Sequence, residues 1–213
     1  NKITSYISKK IPVISCIGNH DYDWNSEQKI TSRENTYYSE YTSFSSTSKR
    51  IVSYFEKGRM ENIIVEFKIN NSTFNVIVLE FGPRVSVLNW AEDYIVNHSN
   101  ENINFIVLTH EFLTSKGDLV SDDSYAKRHM ISDYTNPDQI WDQLIYPYDI
   151  SCVLCGHNGF NQVRYSKNAK GKEIPQVLFN LQYQENGGDG YIEIWEFPKN
   201  SKDVHMRIYD TIN

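Results

Sequence analysis

Three short apolar runs end in the same kind of punctuation: VISCI before Gly18-Asn19-His20-Asp21, NFIVL before Thr109-His110, and SCVLC before Gly156-His157-Asn158. A single histidine beside a core strand is ordinarily a hydrogen-bonded structural residue, but three in one recurring context point to chemistry. If the strands are parallel, their carboxyl ends open onto a common crevice, where ligands of α/β sheets bind. Asn19 offers an amide oxygen, while His110 and His157 offer ring nitrogens. That mixed set suits Zn, Mn, Fe or Ni better than an oxygen-only calcium cage.

The elements that must position these residues are mostly short and β-branched or aromatic. Residues 11–17, 63–69, 73–79, 103–108, 150–155, 176–181, 191–197 and 204–209 read as strands bounded by turn residues. Asn70-Asn71 supplies a tight hairpin, and Asn186-Gly187-Gly188-Asp189-Gly190 is a loop. Leu88, Ala91 and Ile95 share a helical face after a Ser86 cap. Asn136-Pro137-Asp138-Gln139 combines an N-cap, a proline at the first helical position and a reciprocating amide ahead of Ile140, Trp141, Leu144 and Ile145. Strands alternate with helices in the middle and follow one another at the end, which leaves either a doubly wound sheet or a β-sandwich covered by helices. The Ser-, Thr- and Tyr-rich stretch 39–53 has no clean period and reads as a surface loop.

The 213 residues fit one domain, large enough to bury a core without staples. A formal net charge of -6 argues against nucleic acid as a bulk partner and against an anionic membrane surface, while a small phosphorylated compound held by a metal is compatible with it. Cys16, Cys152 and Cys155 sit in apolar runs and read as core thiols. The CxxC at 152–155 has no second pair with which to build a zinc site. Hydrophobic segments stay near strand length, so no transmembrane helix is expected. Cys155 lacks an arginine six positions on, where Asn161 stands, which excludes a cysteine-phosphatase loop.

In these motifs and their order the chain resembles the calcineurin-like metallophosphoesterases. Gly18-Asn19-His20-Asp21, His110 and Gly156-His157 match three of the family's strand-end signatures. LEFGPRVSVLNWAEDYIVNH, DQIWDQLIYPYDISCVLCGH and LFNLQYQENGGDGYIEIWEF resemble segments of a bacterial-type branch. The resemblance implies an α/β (α+β) fold of two packed mixed β-sheets flanked by helices, a four-layer sandwich. It implies hydrolysis of a phosphate mono- or diester by metal-activated water. Asn19, His110 and His157 would ligate one ion (Mn, Zn, Fe or Ni) of a dinuclear metal centre. His20 would act on the substrate as an acid, with Asp21 orienting its ring. Exported relatives in this branch imply a lean towards an extracytoplasmic location.

Two departures from the family pattern concern the other metal. The Asp-x-His and Gly-Asp-x-x-Asp motifs would precede residue 11, and residues 1–10 match neither. Residues 1–213 are therefore expected to be the carboxyl-terminal portion of a single such domain, inactive alone, with the amino-terminal segment of the same protein as its partner. Gly159 stands where the family has a second histidine, which sustains an alternative reading as a decayed binding or scaffolding module. Among other residues, Asp118 and Asp122 read as a solvated acidic loop, His98 and His205 as surface residues, and His129 as solvent-exposed. Arg84 reads as either a phosphate contact or a salt bridge. Tyr183, Tyr191 and Trp195 read as packing residues.

Overall fold

The structure is a computed structural model that describes residues 11–25, 30–34, 36–42, 45–69, 71–99, 102–121, 133–198 and 203–211. Its strands are β1 Asp23–Asn25, β2 Ile30–Ser32, β3 Ile51–Tyr54, β4 Ile63–Ile69, β5 Ser72–Val78, β6 Ile103–Leu108, β7 Ile150–Cys155, β8 Gln162–Lys167, β9 Glu173–Leu178, β10 Ile192–Glu196 and β11 His205–Tyr209. Its helices are α1 Tyr38–Thr42, α2 Ser45–Ser48, α3 Val85–Asn97 and α4 Pro137–Ile140, the last continuing as a π-helical turn over Trp141–Ile145.

Seven strands form one mixed sheet in the order β3-β4-β5-β6-β7-β9-β8. Strands β5, β6, β7 and β9 are mutually parallel, while β3, β4 and β8 join antiparallel. Ile63, Ile64 and Val65 are consecutive and all buried, because both faces of the sheet are covered there. On one face lie α3, through Val87, Leu88, Ala91 and Ile95, and the α4 segment, through Ile140, Leu144 and Ile145. On the other face Ile17, Tyr22, Tyr38, Met60 and Phe81 pack against Ile63, Val65 and Val78. The second sheet is smaller than expected and purely antiparallel: a β10–β11 ribbon, with Phe197 resting edge-on against Phe74 of β5 at a centroid distance of 5.8 Å. The architecture is α/β, a large mixed sheet with a small second sheet and helices outside, as the resemblance implies.

Several local expectations are corrected. Residues 11–17, expected as a strand, form none: among the described residues no ladder pairs them with a strand, and a strand exists only through its ladder. The stretch 39–53 carries α2 and parts of α1 and β3. Thr47 is buried there, its hydroxyl accepting from Val13 N at 3.1 Å and donating to Val13 O at 2.6 Å. Helix α3 starts two residues early, with Arg84 at the N-cap and Ser86 inside the first turn. The expected Asn136 cap and Pro137 start are in place, with Gln139 Oε1 accepting from Asn136 N at 2.9 Å. The expected β4–β5 hairpin is also in place, since Ile69 pairs with Ser72.

Candidate metal centre

Because β5, β6, β7 and β9 run the same way, the residues just beyond their carboxyl ends meet along one edge of the sheet. Phe81, His110, His157 and Asn180 come from those four ends, and Asn19 arrives from the extended segment 12–18. Asn19 Oδ1 lies 3.0 Å from His110 Nε2, which lies 2.9 Å from His157 Nδ1. Three electron-pair donors separated by 91 and 47 positions in sequence thus converge on one point.

Oxygen and nitrogen ligands about 2.0–2.2 Å from a divalent ion, at right or tetrahedral angles to one another, stand about 2.8–3.6 Å apart. The observed separations match the short end of that range, so the donor set fits such an ion in both chemistry and spacing. The set holds two imidazoles and one amide; among the described residues no group of three or more His, Cys, Asp or Glu could hold a metal. Burial, and secondarily the nearby charge of His20, pushes the His110 imidazole down to about 4, which keeps the ring neutral at pH 7 with a lone pair to offer.

The surroundings fix these side chains. Gly18 does not have a positive φ; what it supplies is space, since a Cβ there would stand 2.9 Å from His110 Cε1 and 3.1 Å from Nε2. Phe81, fully buried, floors the site with centroids 5.5 Å from the His110 ring and 6.1 Å from the His157 ring. Asn180 Nδ2 donates to His157 O at 2.7 Å and Asn180 O accepts from Phe160 N at 2.9 Å, which ties the loop after β7 to the loop after β9. His157 itself has φ 63, an uncommon conformation for a non-glycine residue that those bonds help to hold. Neither Phe81 nor Asn180 stands out in the sequence. Their one signal there is position, two or three residues past a strand.

His20 is exposed and close enough to His110 for its charge to be felt there. Asp21 Oδ2 accepts from Gly18 N at 2.8 Å and Asp21 N donates to Gly18 O at 3.1 Å, so this carboxylate closes the turn that presents His20. No bond joins Asp21 to the His20 ring among the described residues. Both residues line an open cleft of about 660 Å³ together with Cys16, Tyr37, Tyr38 and Tyr41.

The remaining candidates fall outside the site. Arg84 is a salt-bridge residue, its guanidinium 2.8 Å from Glu80 and 3.1 Å from Glu56. His98 stacks on Tyr94 at 4.0 Å and closes α3, its Nδ1 2.7 Å from Tyr94 O. His205 is exposed on β11, and Asp118 is an exposed loop residue 3.9 Å from Arg164. Asp122 and His129 lie outside the described residues. Cys152 and Cys155 are buried free thiols of β7, as expected. Tyr183 departs from expectation: it is 68% exposed and its ring lies against Gly159.

Compared with known families, residues 1–158 match the calcineurin-like phosphoesterase profile. A search of curated proteins gave no match. In the described residues no helix is long and apolar enough to cross a membrane.

Proposed function

The chain belongs to the calcineurin-like phosphoesterase family, and on that premise we propose that it hydrolyses a phosphate mono- or diester with a divalent metal ion held by Asn19, His110 and His157. The observation that carries this reading is the convergence of those three donor atoms at 2.9 and 3.0 Å. A bound divalent ion supplies Lewis acidity to phosphoryl oxygens and makes water a competent nucleophile near neutral pH. His110, held neutral by burial, keeps a lone pair on one ring nitrogen, and Nε2 is free to coordinate when the ring proton sits on Nδ1. Phe81 walls the site from below and excludes solvent from the buried side of both imidazoles. His20, exposed beside the three donors, gives its proton to the departing alcohol oxygen, and Asp21 fixes the turn that aims it.

The second reading, a binding module on the same fold, is favoured by Gly159, which brings no donor atom to the loop carrying His157. Mn²⁺ and Zn²⁺ titration calorimetry on the full-length protein, paired with assays on p-nitrophenyl phosphate and bis-p-nitrophenyl phosphate, separates the two. His110→Ala and His157→Ala are expected to abolish both binding and turnover, whereas His20→Ala keeps the metal and lowers turnover about 10²-fold or more. Tight metal binding that survives the double substitution of His110 and His157 removes the ligand assignment. Metal binding by the wild type without turnover of either ester selects the binding module.

A further inference from the structure

Gly159 and Tyr183 are fitted to each other. A Cβ at position 159 would stand 2.7 Å from Tyr183 Cδ2 and 2.9 Å from Cε2, so the ring occupies the space that any side chain there would fill. Two peptide units put the Gly159 Cα within about 7.6 Å of that of His157, and Asn158 N donates to Gly156 O at 2.8 Å across His157. The ring therefore packs on the loop that carries His157. It is also held there: Asn180 bonds to His157 O and Phe160 N, Gln182 N donates to Asn180 Oδ1 at 3.0 Å, and Gln184 N donates to Leu181 O at 2.9 Å. Only one edge of the ring is used in packing on Gly159. Phe160, which follows Gly159 in the chain, is 56% exposed. A ring held on a braced loop with its face open to water is placed to be stacked on, since an aromatic face left in water forgoes its burial.

From this we infer that Tyr183 determines specificity: it is a stacking platform for the planar alcohol side of an aryl phosphoester whose phosphoryl group sits at Asn19, His110 and His157. A planar ring bonded through one oxygen to phosphorus lies a few ångströms from it, and Tyr183 packs on the loop that carries His157. This inference rests on the proposed phosphoryl site but concerns its aromatic flank. A side chain at 159 would displace Tyr183, so the glycine belongs to the same device.

The test is an equilibrium one. Phenylphosphonate and methylphosphonate, neither of which is hydrolysed, are titrated into the full-length protein in Mn²⁺ buffer, for wild type, Tyr183→Ala, Tyr183→Phe and Gly159→Val. Wild type is expected to prefer phenylphosphonate about tenfold. The preference falls to about twofold or less in Tyr183→Ala and Gly159→Val and persists in Tyr183→Phe, while methylphosphonate affinity stays constant across the set. Equal affinity for the two probes in wild type, a preference that survives Tyr183→Ala, or no binding of either probe overturns the inference. Aryl preference without hydrolysis of any ester defeats the catalytic reading and leaves this one standing; hydrolysis without aryl preference does the reverse.

Discussion

The imidazole of His110 rides directly over the α-carbon of Gly18, leaving 2.9 Å between His110 Cε1 and the position a methyl group would take. His110 is partly buried beneath Asn19 and backed by Phe81, so it cannot move aside without losing its place among the three donors. Gly18→Ala is expected to lower stability by about 1–3 kcal/mol through overpacking and to weaken Mn²⁺ binding at least tenfold. Urea denaturation and calorimetry check the two effects. Unchanged metal affinity in a folded Gly18→Ala protein would separate the glycine from the site.

The pH dependence of stability carries a sign that follows from His110. Its folded value of about 4 lies below the ordinary 6.5, so between those limits the unfolded chain binds a proton that the folded chain refuses. Stability contributed by the neutral ring is fully present above pH 6.5 and is lost as pH falls towards 4. Metal-free wild type is expected to lose more stability over that interval than His110→Gln does. Parallel urea titrations at pH 7, 6, 5 and 4 read the difference, and coincident slopes would contradict it.

Glu80, 2% exposed, lies within 3.4 Å of Arg33 and 2.8 Å of Arg84. Arg33 also donates to Phe81 O at 3.3 Å and Gly82 O at 2.6 Å, so the ionic cluster supports the turn that carries the floor of the site. Removing the charge leaves two guanidinium groups facing a neutral partner. Glu80→Gln is expected to cost about 3–5 kcal/mol, measurable by chemical denaturation. A loss below about 1 kcal/mol would place the cluster with ordinary surface pairs.

Burial pushes the thiols of Cys152 and Cys155 up to about 12, and Cys155 Sγ donates to Val177 O at 3.4 Å. Neither is a thiolate near neutral pH. Native protein is expected to react with Ellman's reagent at these positions only after unfolding in urea, and fast labelling in buffer would show that β7 opens readily.

Much of the site can be read from the amino-acid order alone because its residues follow strands, and strand ends are marked in sequence by a change from β-branched to polar types. His110 and His157 follow that rule, and parallel pairing turns a shared position in two runs into a shared place in space, which Asn19 reaches from an extended segment. The edge strands are harder to read. In β8 the side chains alternate between half-buried and exposed, and Val163 and Tyr165 lie on the exposed side, so hydrophobicity there points outward and the run looks like loop. The stretch 12–18 fails in the opposite sense: its residues favour a strand, but strand formation depends on a neighbour that no local pattern specifies. Gly18 reads as a turn residue, whereas the ring that needs its missing side chain comes from a residue 92 positions on (110 − 18). Tyr183 reads as a packing residue, but its exposure is set by loops tied through Asn180, a bond between two segments that sequence presents as unrelated.

The spacing of the three donors also bears on how the molecule acquires them. The β4–β5 hairpin closes over two residues, but bringing Asn19 to His110 spans 91 positions and His110 to His157 spans 47. Chain-closure entropy rises with span, and contacts of long range form after local ones have lowered the cost of meeting. The centre is then expected to be completed near the end of the folding reaction, on the native side of its rate-limiting barrier. Substitutions among Asn19, His110 and His157 would quicken unfolding while leaving the refolding rate almost untouched. An ion bound there would act as a latch on the native state, extending its lifetime without guiding the chain towards it.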